Sequence, residues 1–147
     1  MRDPDKRQRS PMIYWIDPTA GVAYISLRAK RSSFGEFLGA VDGLISHPDW
    51  RPGMPVIEDR RRCRWVPPGT ALEEWRAYIS AHQALLAGCR WAVVTRPATK
   101  SAVVCLLNAA AGDAAPSGVP LQQFTNMLDA HLWVKPPGVS FPRLSLD

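Results

Sequence analysis

Alternation is the first pattern the chain offers. In VAYISLR (22–28), Val22, Tyr24, Ser26 and Arg28 interleave with Ala23, Ile25 and Leu27, the two-residue period of a strand. The apolar run MIYWI (12–16) precedes it, across the turn DPTAG (17–21), in which Asp17-Pro18 opens and Gly21 closes. Two strands on a five-residue turn predict a hairpin. The period then changes. Phe34, Phe37, Leu38, Val41, Leu44 and Ile45 recur at spacings of three and four, which predicts a helix over Ser33–Ser46, with Ser33 and Glu36 as a capping box. Gly35, Gly39 and Gly43 lie four apart along it and are read as packing positions. His47-Pro48 ends it.

A third strand is predicted over Met54–Asp59. A second long helix runs from Thr70 to Gly88, with a Thr70/Glu73 capping box and a buried stripe of Leu72, Trp75, Ile79, His82 and Leu86. RWAVVT (90–95) reads as a strand buried on both faces. A helix over 99–111 follows, then a small-residue linker (111–118), a last strand VPLQQF (119–124), and a short helix from Thr125 or Asn126 to Leu132. Residues 1–11 read as a disordered basic arm and 135–147 as an irregular, proline-containing tail. Such alternation of strand and helix implies an α/β domain over 12–134, with a mostly parallel five-stranded sheet, an antiparallel N-terminal hairpin strand and about four helices.

Several local words, together with this order, resemble the SpoIIAA-like (STAS-like) domains of bacteria. They are Asp17-Pro18 at the hairpin turn, HPDWRPGM at 47–54, Asp59-Arg60 at the end of the third strand, and Phe124, Ala130 and Trp133 near the close. The resemblance implies a βα superhelix and a non-enzymatic regulatory or protein-binding role. The best-understood members are antagonists of anti-sigma factors, switched by phosphorylation of a serine just after the third strand. This chain has no serine there: Arg60, Arg61, Arg62, Cys63, Arg64 and Trp65 follow Asp59, and the hydroxyl near the helix start is that of Thr70, read as an N-cap. The phospho-switch is therefore not expected.

Composition adds limits. A chain of 147 residues fits one domain and buries roughly 70% of its unfolded surface, so no disulfide or metal is required to fold it. Cys63, Cys89 and Cys105 form no CxxC or Cys/His cluster, so neither a disulfide framework nor a zinc site is expected. The opening MRDPDKRQRSP lacks the apolar core of a secretory signal, and no apolar run reaches the ~20 residues of a membrane span, so a cytoplasmic location is expected. No phosphate loop, nucleophile elbow or metalloprotease motif occurs, and the three histidines are far apart. No catalytic residue, cofactor or metal is expected.

The net charge of +5 changes the picture most, because four arginines fall in the five positions 60–64. In open parallel sheets ligands bind beyond the carboxyl ends of the strands. The expected rim therefore carries Asp59, Arg60, Arg62, Arg64, Trp65 and Thr70 from the third strand's end, and Thr95, Arg96 and Lys100 from the fourth's. Asp59 is expected to accept hydrogen bonds from its own loop or to pair with one of its arginines. Arg60, Arg62 and Arg64 with Trp65 are expected to present a cationic surface to an acidic protein partner. A second reading of the same rim is a binding protein or enzyme for a small anionic ligand: a nucleotide, phosphate or acyl compound. Nucleic acid is disfavoured, since the basic residues form no long stripe. An exposed edge strand or apolar patch would allow a homodimer.

Overall fold

The computed structural model describes residues 12–28, 33–63, 70–97 and 119–134. The expected arm, the helix over 99–111, the linker and the tail lie outside the described residues, as do Arg64, Trp65 and Lys100. What is described is α/β. Strands β1 (Met12–Asp17), β2 (Val22–Leu27), β3 (Val56–Asp59), β4 (Trp91–Val94) and β5 (Leu121–Phe124) join helices α1 (Phe34–Ile45), α2 (Ala71–Ala81), α3 (Gln83–Leu86) and α4 (Met127–Val134).

The sheet runs β1-β2-β3-β4-β5 in sequence order. β1 is antiparallel to β2, and the other neighbours are parallel. The hairpin turn is fixed by Asp17, whose Oδ1 accepts from the backbone N–H groups of Thr19 and Ala20, and by Gly21 at φ +69°.

Sequential order has a consequence for the two faces. Right-handed crossovers that always step the same way lay their helices on the same side. Residues of α1, α2 and α3 accordingly share one core with alternate sheet residues: Phe37, Val41, Leu44, Trp75, Ile79 and Leu86 with Ala23, Ile25, Val56, Trp91 and Val93. The opposite face carries a smaller core, in which Ala130 and Val134 of α4 cover Val22, Ile57, Ala92 and Val94. Phe124 and Trp133 meet there at 5.7 Å between ring centroids.

Three local expectations are revised. The helix predicted over Thr70–Gly88 breaks at His82, whose φ of −116° and ψ of 27° leave the helical region. The His82 ring Nδ1 lies 3.0 Å from the carbonyl of Tyr78 one turn back, and the ring stacks on Tyr78 at 4.2 Å, so this histidine ends a helix instead of filling a core stripe. Ser33 caps α1 as predicted, accepting from the Glu36 N–H at 3.1 Å. Thr70 makes no side-chain cap bond, because its backbone (φ −65°, ψ −22°) is already helical and its hydroxyl is not aimed at the following amides. Trp15, on the predicted first strand, is 44% exposed, so that strand is not buried along its whole length.

Candidate functional site

The carboxyl end of β3 departs from the expected cationic surface in one decisive respect. Alternation along Val56, Glu58 and Arg60 carries both ionic side chains to the α1–α2 face, beneath the helices. Glu58 is 3% and Arg60 6% exposed. Arg60 Nη1 donates to Glu58 Oε2 at 2.7 Å, and the Trp91 indole Nε1–H donates to Oε1 at 3.0 Å. Arg60 is thus part of the scaffold, and its expected place on a cationic surface is corrected: the pair is interior. Its backbone is tied down too, through Arg60 N–H to the Val94 carbonyl at 2.8 Å.

Asp59 points to the other face and behaves as expected. Its Oδ1 accepts from the backbone N–H and Nε of Arg61, both at 3.0 Å, while Oδ2 accepts from Nη2 at 2.9 Å. Burial alone would raise this carboxyl, but the hydrogen bonds from Arg61 and the charges of Arg61 and Arg62 outweigh it, and the group is held below its ordinary value. Arg61 and Arg62 are exposed.

Thr95, expected on the rim, is 1% exposed; its hydroxyl oxygen accepts from the Gln123 side-chain amide inside the sheet. Arg96 is half-buried and Thr70 exposed. The rim lies where Ser26, Asp59, Val94 and Phe124 come level across β2 to β5. That register adds a residue the sequence reading did not single out: exposed Arg28, two positions beyond Ser26, on the face shared with Asp59 and Arg61. Strand alternation was the signal available for both Arg28 and Arg60.

A second cluster lies lower on the α4 face. The Tyr24 hydroxyl is 2.8 Å from His131 Nε2. His131 Nδ1 is 2.8 Å from the carbonyl of Met127, which is met by Nδ1–H and leaves Nε2 to accept from tyrosine. Burial, and then the charge of Asp17, raise the Tyr24 phenol above its ordinary value. Trp15 stacks on Tyr24 at 5.0 Å with planes 13° apart. His131 is half-buried.

Cys63 and Cys89 are buried, and burial pushes the Cys89 thiol up to about 12, so it is protonated and unreactive at neutral pH. Among the described residues no group of three histidine, cysteine or acidic side chains could hold a metal ion, and no helix is long and apolar enough to cross a membrane. No family model, curated protein or solved structure matches this chain.

Proposed function

We propose that the chain is a non-enzymatic protein-binding module, regulatory in the sense the SpoIIAA-like resemblance implies, that engages an acidic partner at the rim where β2, β3 and β4 end. One observation carries the reading. The parallel register gathers Arg28, Arg61, Arg62 and Arg96 at that rim, while Glu58 is turned inside against Arg60 and Asp59 is already engaged by Arg61. Arg28 and Arg62 face outward, and among the described residues no ion pair engages either of them. Arginine is suited to bidentate capture of carboxylates, and a cluster of like charge speeds encounter with an acidic surface.

The test is charge reversal at exposed positions, Arg28→Glu with Arg62→Glu, not replacement of the interior Arg60. Affinity capture from the source cells with both forms should identify a protein held by the native chain, released by salt, and lost to the variant at an unchanged melting temperature. If the same proteins are retained by the variant, the rim is not the site. If no protein is captured, and nucleotides or phosphorylated metabolites instead give a saturable rise in melting temperature, the module reading gives way to ligand binding.

A further inference from the structure

Among the described residues, α4 covers only part of the second face of the sheet. α4 lies over β3, β4 and β5 through Ala130 and Val134 and reaches β2 at Val22 and Tyr24, and no described element lies over β1 on that side. The floor beside α4 is Ile13, Trp15 and Tyr24. The hydrogen bond from Tyr24 to His131 fixes how α4 is rotated: His131 stands against the floor, and Leu128 and Leu132, three residues before it and one after, rise above as a wall. Leu128 is 61% and Leu132 63% exposed. Of the four large exposed apolar side chains among the described residues, three (Trp15, Leu128 and Leu132) line this one step, the fourth being Tyr14 on the other face.

Isolated exposed leucines are ordinary, but a contiguous apolar patch rimmed by charge marks an interaction site. Two strands span about 10 Å, the distance at which a second helix packs beside a first. An element lying beside α4 would rest on β1 and on the half-buried Tyr24 of β2. Its upper end is basic: Asp59 lies level with Ser26 of β2, Arg61 holds Asp59, the Arg62 charge reaches the same carboxylate, and Arg28 follows Ser26 on this face. A second copy of this chain carries the same net charge of +5 and would approach against it overall. An acidic helix would bring opposite charge.

We propose that the step is a docking groove for an amphipathic helix of a partner protein, its apolar stripe on Trp15, Leu128 and Leu132 and its acidic end at Arg28 and Arg62. The inference rests on the rim reading above and specifies its partner: a helix that is apolar along one stripe and carries carboxylates at one end.

Synthetic peptides of about five helical turns test it by fluorescence anisotropy. All carry the same leucine stripe; one bears glutamates at one end, one bears lysines there, and one bears neither. The glutamate peptide should bind the full-length chain at least ~10-fold more tightly than the lysine peptide at low salt, and the gap should close as salt rises. Trp15→Ala should weaken all three by ~10-fold. Leu132→Glu, at an exposed position where folding is not at stake, should do the same. Arg28→Glu with Arg62→Glu should weaken only the glutamate peptide.

If the arginine reversal abolishes the acidic preference while Trp15→Ala and Leu132→Glu change nothing, the rim reading survives and the groove falls. If the apolar replacements act but no peptide is preferred by charge, the acidic partner falls and the rim reading with it. A native chain that elutes as a dimer, and as a monomer once Leu132→Glu is introduced, would assign the step to a second copy and overturn the proposal.

Discussion

Glu58 and Arg60 sit two positions apart on a strand, so one fact of geometry sends both inward. Taking the two charges out of water is costly, and their attraction repays it only while both are present. Arg60→Ala leaves a carboxylate buried beside a single indole donor. The expected loss is about 3–5 kcal/mol, read from urea unfolding at neutral pH. Replacing both partners, Glu58→Leu with Arg60→Met, should recover only part of it, because no charge is left buried but the Trp91 indole N–H loses its acceptor. A single variant as stable as the native chain would show that the pair contributes nothing. Asp59 makes a different statement. Its proton affinity is lower folded than unfolded, so its contribution is complete above the unfolded value of roughly pH 4 and fades as pH falls through the lower folded value. Asp59→Asn should therefore flatten the acid limb of a stability–pH profile and leave the slope between pH 6 and 8 unchanged. The sequence disclosed that Asp59 would serve its own loop. Which arginine would answer was carried only by parity: Arg60 falls on the face of Glu58 and Arg61 on that of Asp59.

Elements were legible where a single period ran without interruption. The alternation in 22–28 and the three-four spacing in 34–45 each produced the element observed. The break at His82 was not legible, since Leu86 continues the stripe of Trp75 and Ile79; only the bond from the His82 ring to Tyr78 and the stacking of the two rings mark the end of α2. The three spaced glycines of α1 were read together as packing positions, and the structure separates them. A Cβ on Gly43 would overlap the ring of Tyr14, whereas one on Gly39 would meet nothing within 4 Å. Gly43 thus lets the β1 tyrosine lie on α1, and Gly39 serves no such contact. In a helix interior alanine is favoured over glycine by about 1 kcal/mol. Gly39→Ala should collect roughly that gain. Gly43→Ala should show less or a net loss, because the ring must swing off the helix. In a Tyr14→Ala background the gain at 43 should return to that at 39, and a thermal-melt double-mutant cycle measures the difference. Equal gains at both positions in the native background would mean that the tyrosine ring yields at no cost.

At the scale of the whole molecule, the order β1-β2-β3-β4-β5 makes the sheet asymmetric. Same-handed crossovers load one face, and α4 covers only part of the other, so the centre and the β1 edge differ in protection. β3 and β4 have a strand on each side and packed residues on both faces: Val56, Ile57, Trp91, Ala92 and Val94 are at most 1% exposed. Among the described residues β1 has one strand neighbour, and it carries a half-exposed tryptophan on one face and a half-exposed tyrosine on the other. Proteins open in cooperative parts, and parts with few buried contacts open first. Native-state hydrogen exchange should therefore divide the sheet. The amides of Ile57, Ala92, Val93 and Val94 should exchange only through global unfolding, with a denaturant dependence matching that of the whole chain. Those of β1 that bond to β2 should exchange through a smaller opening of the hairpin, with a shallower dependence. Uniform protection from β1 to β4 would show that the edge and centre open together. The same measurement bears on the groove. A helix seated on Trp15 and Tyr24 binds only the closed hairpin, so it must raise the free energy of that opening by mass action while leaving β4 amides unchanged until the local opening becomes as costly as global unfolding. Protection that rises first at β4, with β1 unaffected, would place the bound peptide away from the β1 edge of the sheet.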